Sequence, residues 1–192
     1  ITGQQGNSLF GSSLAPSRVR DTITDTNLTN SFAADYSSVV ARSISAASTV
    51  NSAFTQGIVT SVPAAPAYTN PITGRAETNS LALQLQTVAR SIAASSILGV
   101  RRQVFFVSLG GWDTQPNLLA KVAHALSYFD GALANVGGID RRAQVTTFTA
   151  SDFSRTITTN GDGTDHAWGG HHFIMGGAVK GQDIYGQYPT IG

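Results

Sequence analysis

Apolar residues recur along the chain at two different spacings, and the alternation between them predicts its elements. From Ser31 to about Thr55, Tyr36, Val40, Ile44, Ala47 and Phe54 stand at roughly helical intervals. The many Ser and Thr residues of this stretch weaken helix propensity without breaking the period, so a helix is expected. In "AETNSLALQLQTVARSIAASS", Leu81, Leu85, Val88 and Ile92 fall at i, i+4, i+7 and i+11, one apolar stripe along a helix. The clearest helix follows Pro116: Leu119, Val122, Leu126, Phe129 and Leu133 recur at three and four residues until Gly137-Gly138.

Between these periodic stretches lie short runs of another kind. "QVFFVSL", residues 103–109, is rich in Val and Phe and bounded by Arg101-Arg102 and Gly110-Gly111, as expected of a buried parallel strand. "AQVTTFTA", residues 143–150, is a second β-type run, and a third strand is expected around "HHFIMGGAV". Strand, glycine turn, helix, strand is the order of a βαβ unit, which packs its helix on a parallel sheet with a right-handed crossover. The fold class expected is therefore α/β, a mostly parallel sheet with flanking helices.

Outside that pattern, residues 1–30 are polar and turn-rich and read as an irregular N-terminal arm, leaving 31–192 as a single α/β domain. "SVPAAPAYTNPITG", with three of the six prolines, reads as an exposed loop that would tolerate a nick. The opening "ITGQQGNS" has no initiator Met, which suggests a processed or truncated start.

Composition narrows the chemistry. Hydrophobic residues make up 41% of the chain, mean hydropathy is +0.01, and no apolar run is long enough to cross a bilayer, which excludes disorder and membrane insertion. Only 12% of residues are charged, the net charge is +1 and the arginines are scattered, so neither nucleic acid nor anionic lipid is an expected partner. The absence of cysteine removes disulfides and thiolate sites. Glu77 is the sole glutamate, so a reactive carboxylate is expected to be an aspartate. Arg101-Arg102 has the look of a twin-arginine signal but sits mid-chain, where it leads into the strand.

Two acids stand where ligands bind open parallel sheets, just beyond the strands' carboxyl ends: Asp113 in "GGWDTQ" and Asp152 in "SDFSRT". Three of the four histidines, His166, His171 and His172, crowd into "GTDHAWGGHHF". If the two strands are neighbours and the histidine turn folds over the same edge, the set suits a divalent metal such as zinc or manganese. Each residue also has a plainer role. Asp113 suits a helix N-terminus, Asp152 and Arg155 suit a local ion pair, and the histidines suit hydrogen-bonded packing around Trp168. Arg155 also suits a substrate oxyanion. His171 and His172, being adjacent, point to opposite faces of an extended segment. His124 lies inside a helix and reads as an ordinary partly buried residue. "NGDGTD" resembles a calcium loop, but His171 stands where an EF-hand needs its bidentate Glu. Gly176 and Gly177 read as relief of crowding at a turn.

"FFVSLGGWDT", "SDFSRT", "NGDGTDHAWGGHHFIMGGAVKG" and "IYGQYP", in this order, resemble a bacterial family catalogued as domain of unknown function fifteen-hundred-and-one. The resemblance runs over roughly residues 76–192. It implies an exported protein, often with a twin-arginine signal, whose fold is similar to the alkaline phosphatase and sulfatase superfamily. By motif position it implies metal ligands at Asp113, Asp152, His166 and His171, with calcium as a third candidate ion beside zinc and manganese. Arg155 would clamp a small anionic ester, and His172 would give a proton to the leaving group or join the ligands. The family commonly shows a histidine directly after "GWDT", where this chain has Gln115. The superfamily's nucleophile and first metal aspartate belong to an N-terminal half not recognisable here, so the chain looks like a C-terminal half whose partner is that missing half or another protein chain. Two functions follow as expectations: metal-dependent hydrolysis of a phosphate or sulfate ester, or a non-catalytic exported binding or assembly protein with a structural Asp/His cluster.

Overall fold

In this computed structural model the described residues are 15–25, 27–112, 116–161, 163–167 and 170–187. Among them run helices α1 (Ala15–Ile23), α2 (Ser31–Phe54), α3 (Gly57–Thr60), α4 (Ser80–Ala93) and α5 (Leu118–Ala134). The strands are β1 (Tyr68–Thr69), β2 (Ala76–Glu77), β3 (Thr147–Phe148), β4 (Ser154–Thr159), β5 (Thr164–Ala167) and β6 (Ile174–Met175). The three long periodic stretches are thus helices, and α1 occupies part of the arm expected to be irregular.

Side-chain chemistry sets where these helices begin and end. Asn30 Oδ1 accepts from the Ala33 amide at 3.1 Å to cap α2, and Asn79 Oδ1 accepts from Ala82 at 3.3 Å to cap α4, each satisfying an amide that the first turn leaves without an intrahelical partner. After α5, Gly137 and Gly138 take φ of +57° and +85°, and the Gly138 amide donates to Asn135 Oδ1 at 2.9 Å. This left-handed turn ends the helix because a non-glycine residue adopts it only under strain.

The core is the seam between α4 and α5, closed by α3. Leu81, Leu85 and Val88 of α4 meet Phe129 and Leu133 of α5, with Val59 and Val62 beneath them. Ala82, Ala89, Ala93, Ala125 and Ala132 are all nearly inaccessible; such small residues let two helices approach closely. Truncating Phe129 to alanine in such a seam costs about 3–5 kcal/mol. By contrast, α2 buries only Ser37 and Ala53, and its Phe32 stays 85% exposed.

Strand pairing departs from the βαβ expectation. The described residues form three two-stranded antiparallel ladders, β1 with β2, β3 with β6 and β4 with β5. The 143–150 run does contain a strand, and the third strand lies where expected, but the two pair antiparallel with Thr147 opposite Met175. Residues 103–109 are extended without any strand beside them among the described residues. Val107 and Leu109 pack on the core, while Val104 and Phe106 are 98% and 92% exposed. One contact there resembles a strand's: the Gln84 carboxamide donates to Ser108 O at 2.8 Å and accepts from Ser108 N at 2.9 Å. The mixed helix and antiparallel architecture is therefore what these residues build, and a mostly parallel sheet is not among them.

The proline-rich segment is also tighter than an exposed loop. Val62, Tyr68 and Asn70 are buried within it, and Tyr128 Oη donates to Pro63 O at 2.7 Å. Its β1–β2 turn is held by Asn70 Oδ1, which accepts from the Ile72 amide at 2.9 Å.

Substitution of Gly137 offers a direct check on the end of α5. A Cβ there would lie 2.7 Å from Ile58 Cγ1, in a backbone region unfavourable to side chains. Gly137→Ala is expected to lower unfolding free energy in urea by at least about 1–2 kcal/mol, whereas Gly131→Ala, with open space around its Cβ, leaves it unchanged or raises it.

Candidate functional site

The described residues singled out by sequence fall on or beside two antiparallel ladders, the β4–β5 hairpin and the β3–β6 pair that brackets it in the chain. In the β4–β5 hairpin the turn is built by Asn160, whose amide donates to Gly163 O at 3.0 Å while its Oδ1 accepts from Gly163 N at 2.9 Å. Its Nδ2 donates to Asp165 Oδ1 at 3.0 Å. The oxygens of "NGDGTD" thus serve the turn itself, and Asp162 lies outside the described residues.

Arg155 and His166 are paired directly across this hairpin, and so share a face of it. The His166 ring stacks on Phe153, with centroids 3.8 Å apart and planes 22° from parallel. The Arg155 guanidinium stands 5.4 Å from the Phe153 centroid and its Nη1 donates to Thr164 O at 2.8 Å. One phenyl ring therefore organises a fixed cation and an imidazole. Asp152 is exposed in the bend immediately before Phe153.

His171 and His172 lie beside the β3–β6 ladder, just ahead of β6. His172 Nδ1 lies 3.3 Å from Thr149 Oγ1, which also accepts from the Phe173 amide at 2.9 Å. His171 is exposed and also engaged. Among the described residues no three of the His, Asp and Glu side chains converge on a common point. Asp113 lies outside the described residues.

The two glycines after β6 have a packing role, as expected from sequence. A Cβ on Gly177 would come within 2.9 Å of Ala143 Cα, and one on Gly176 would strike Val145 O. This approach lets the Gly177 amide donate to Arg142 O at 3.1 Å. Arg142 itself forks onto Asp140, with Nη2 at 2.8 Å from Oδ2 and Nε at 3.1 Å from Oδ1.

A polar cluster that sequence reading missed joins β1–β2 to the first turns of α4 and α5. Glu77 accepts from Asn70 Nδ2 at 2.6 Å and Asn117 Nδ2 at 3.3 Å, and its other partner is Lys121 Nζ at 3.1 Å. The Asn70 bond and then Lys121 hold its carboxyl below the usual glutamate range. Asn79 Nδ2 donates to Lys121 O at 2.7 Å and meets His124 Nδ1 at 3.2 Å. Tyr68, only 4% exposed, sets its ring edge-on to His124 at 5.2 Å. His124, read from sequence as an ordinary partly buried residue, is instead a hub. The available signals were the lone glutamate and the asparagines heading both helices.

With both clusters placed, the family match can be stated. The model of a protein family described as "Protein of unknown function (DUF1501)" matches residues 19–192. The chain belongs to the DUF1501 family. The matched span takes in the β4–β5 hairpin, both later histidines and the polar cluster of this DUF1501 chain. No curated protein and no solved structure matches it. None of the described helices of the DUF1501 chain is long and apolar enough to cross a membrane.

Arg142 supplies the pH-dependent element of this region. Its side-chain and backbone hydrogen bonds bring Asp140 down to about 2. A carboxyl depressed in the folded state contributes stability above its unfolded value near 4, lost as pH falls toward 2. Carboxyl NMR titration is expected to find Asp140 at about 2, and Arg142→Ala to raise it part-way toward the ordinary aspartate range, since the backbone amide at 142 still donates to it; a normal Asp140 in the unsubstituted protein would contradict the fork.

Proposed function

We propose that this DUF1501 chain is an assembly-dependent domain of an exported protein, completed by an extended strand of polypeptide from a missing N-terminal half or another chain. The observation that carries this reading is the 103–109 segment. Val107 and Leu109 pack on the core while Val104, Phe105 and Phe106 are exposed, yet among the described residues no strand lies beside it. Unpaired extended backbone with exposed valine and phenylalanine is a template for strand addition and a hazard when left open. A strand beside it would restore the sheet expected from sequence, and the alkaline-phosphatase-like form of that sheet belongs to the same proposal. The exposed apolar residues of α2, Phe32 and Tyr36, fit a domain that continues past these residues. In this reading the Asp/His residues serve structure, as His172 does on Thr149.

A second reading, metal-dependent hydrolysis of a phosphate or sulfate ester, draws on the Arg155–His166 pairing. A guanidinium fixed against an aromatic ring beside an imidazole is suited to a tetrahedral anion. Asp113, Asp152, His166 and His171 would be the residues to hold zinc, manganese or calcium, and a bound ion would supply Lewis-acid polarisation of the ester. Arg155 would orient the ester oxygens and His172 would hold the proton for the leaving group.

Intact mass and hydrogen exchange on the native gene product test the first reading. Expected are a polypeptide longer than this one or a stoichiometric second chain, with amides 103–109 protected in that species and fast-exchanging in the isolated chain. A native monomer of 20.0 kDa with the same amides unprotected overturns it. The second reading is checked on the same native species by metal analysis: a stoichiometric ion lost in Asp152→Asn together with ester turnover supports it, and a metal-free protein whose melting ignores chelator rejects it.

A further inference from the structure

We propose that His124 is a pH-sensitive latch between the start of α4 and the middle of α5, closed only while its ring is neutral. The orientation of the Asn79 side-chain amide is fixed from two sides. Its Oδ1 accepts from the Ala82 amide at 3.3 Å, and its Nδ2 donates to Lys121 O at 2.7 Å. Reversing the amide would remove the cap of α4 and set oxygen against oxygen at Lys121.

The second Nδ2 proton therefore faces His124 Nδ1, 3.2 Å away. A donor there requires an acceptor, so Nδ1 carries no proton and the neutral ring holds its hydrogen on Nε2. Protonation puts N–H against N–H and breaks the contact, which joins residues 45 apart in sequence. Asn79 is itself buried, at 5% exposure, so the amide proton that loses its partner has no ready access to water.

The groups around the ring reinforce the effect. Tyr68 of β1 presents its ring to the imidazole at 5.2 Å, and its buried hydroxyl has no hydrogen-bond partner among the described residues. Lys121, one turn earlier on α5, keeps its ammonium 5.9 Å from the Tyr68 centroid and 3.1 Å from Glu77 of β2. An imidazolium would add a second cation beside Lys121 while the Glu77 carboxylate is already committed to it. Acidification thus acts where β1–β2, α4 and α5 meet through polar side chains.

The tautomer is read first, by long-range proton–nitrogen correlation on histidine-labelled protein at about pH 7.5, assigned by loss of the signal in a variant. An Nε2–H ring at His124 is expected; an Nδ1–H ring or an imidazolium overturns the proposal. Melting temperature is then compared between about pH 7.5 and pH 5.5 for the unsubstituted chain and His124→Phe, which keeps a ring against Tyr68 without titrating. The unsubstituted chain is expected to lose about 2–4 °C more than the variant across that window, and equal losses overturn the latch. Should His124→Phe not fold, the tautomer alone decides.

Discussion

Leu85 and Phe129 meet in a seam whose remaining walls are alanines, and the place of most other described elements follows from it. Because Ala89 and Ala125 are fully inaccessible, the facing surfaces of α4 and α5 leave little room for any other crossing. With that crossing set, Asn117 at the start of α5 reaches Glu77 of β2, and Asn79 at the start of α4 reaches the Lys121 carbonyl of α5. Likewise the glycine turn after α5 delivers Arg142 and Val145 to the far side, where Gly176 and Gly177 close on them. Polar contacts select among arrangements that apolar burial already favours, since an ion pair open to solvent such as Glu77–Lys121 adds little.

The same seam leaves residues 103–109 half used. Val107 and Leu109 are drawn to the core, which fixes the segment as extended, but the hydrogen-bonding edges of a strand need neighbours that helices cannot provide. Gln84 substitutes for one such neighbour at Ser108 and no further. The exposure of Val104 and Phe106 is then the direct result of alternation with a single packed face.

Periodicity made the helices legible: α2, α4 and α5 each lie inside the stretch whose apolar spacing predicted them, and the Gly137-Gly138 stop stands where it was read. Pairing was less legible, because partners such as Thr147 and Met175 are joined by register over a long loop, which local pattern does not encode. The proline-rich segment misled for a related reason. Three prolines mark a chain without helix, yet Tyr68 is packed against His124 and Lys121 of α5, more than fifty positions away. The role of His124 was hidden by the same distance, since nothing in its own helix shows that Asn79 would present a donor to it.

The histidine-rich turn shows how closeness in sequence can divide in space. His166 sits in β5 and is held against Phe153, while His172, six positions on, is held against Thr149 by the β3–β6 ladder. The β4–β5 hairpin lies in the connection between β3 and β6, and each ladder keeps its own antiparallel register, so the two imidazoles are held by separate pairings. The 103–109 segment shares its core with Val145, two residues before β3, so a strand added along it would bear on where the ladders sit. Assembly and chemistry are therefore not independent readings of this chain: whatever chemistry the Asp and His residues perform together depends on the sheet that places them.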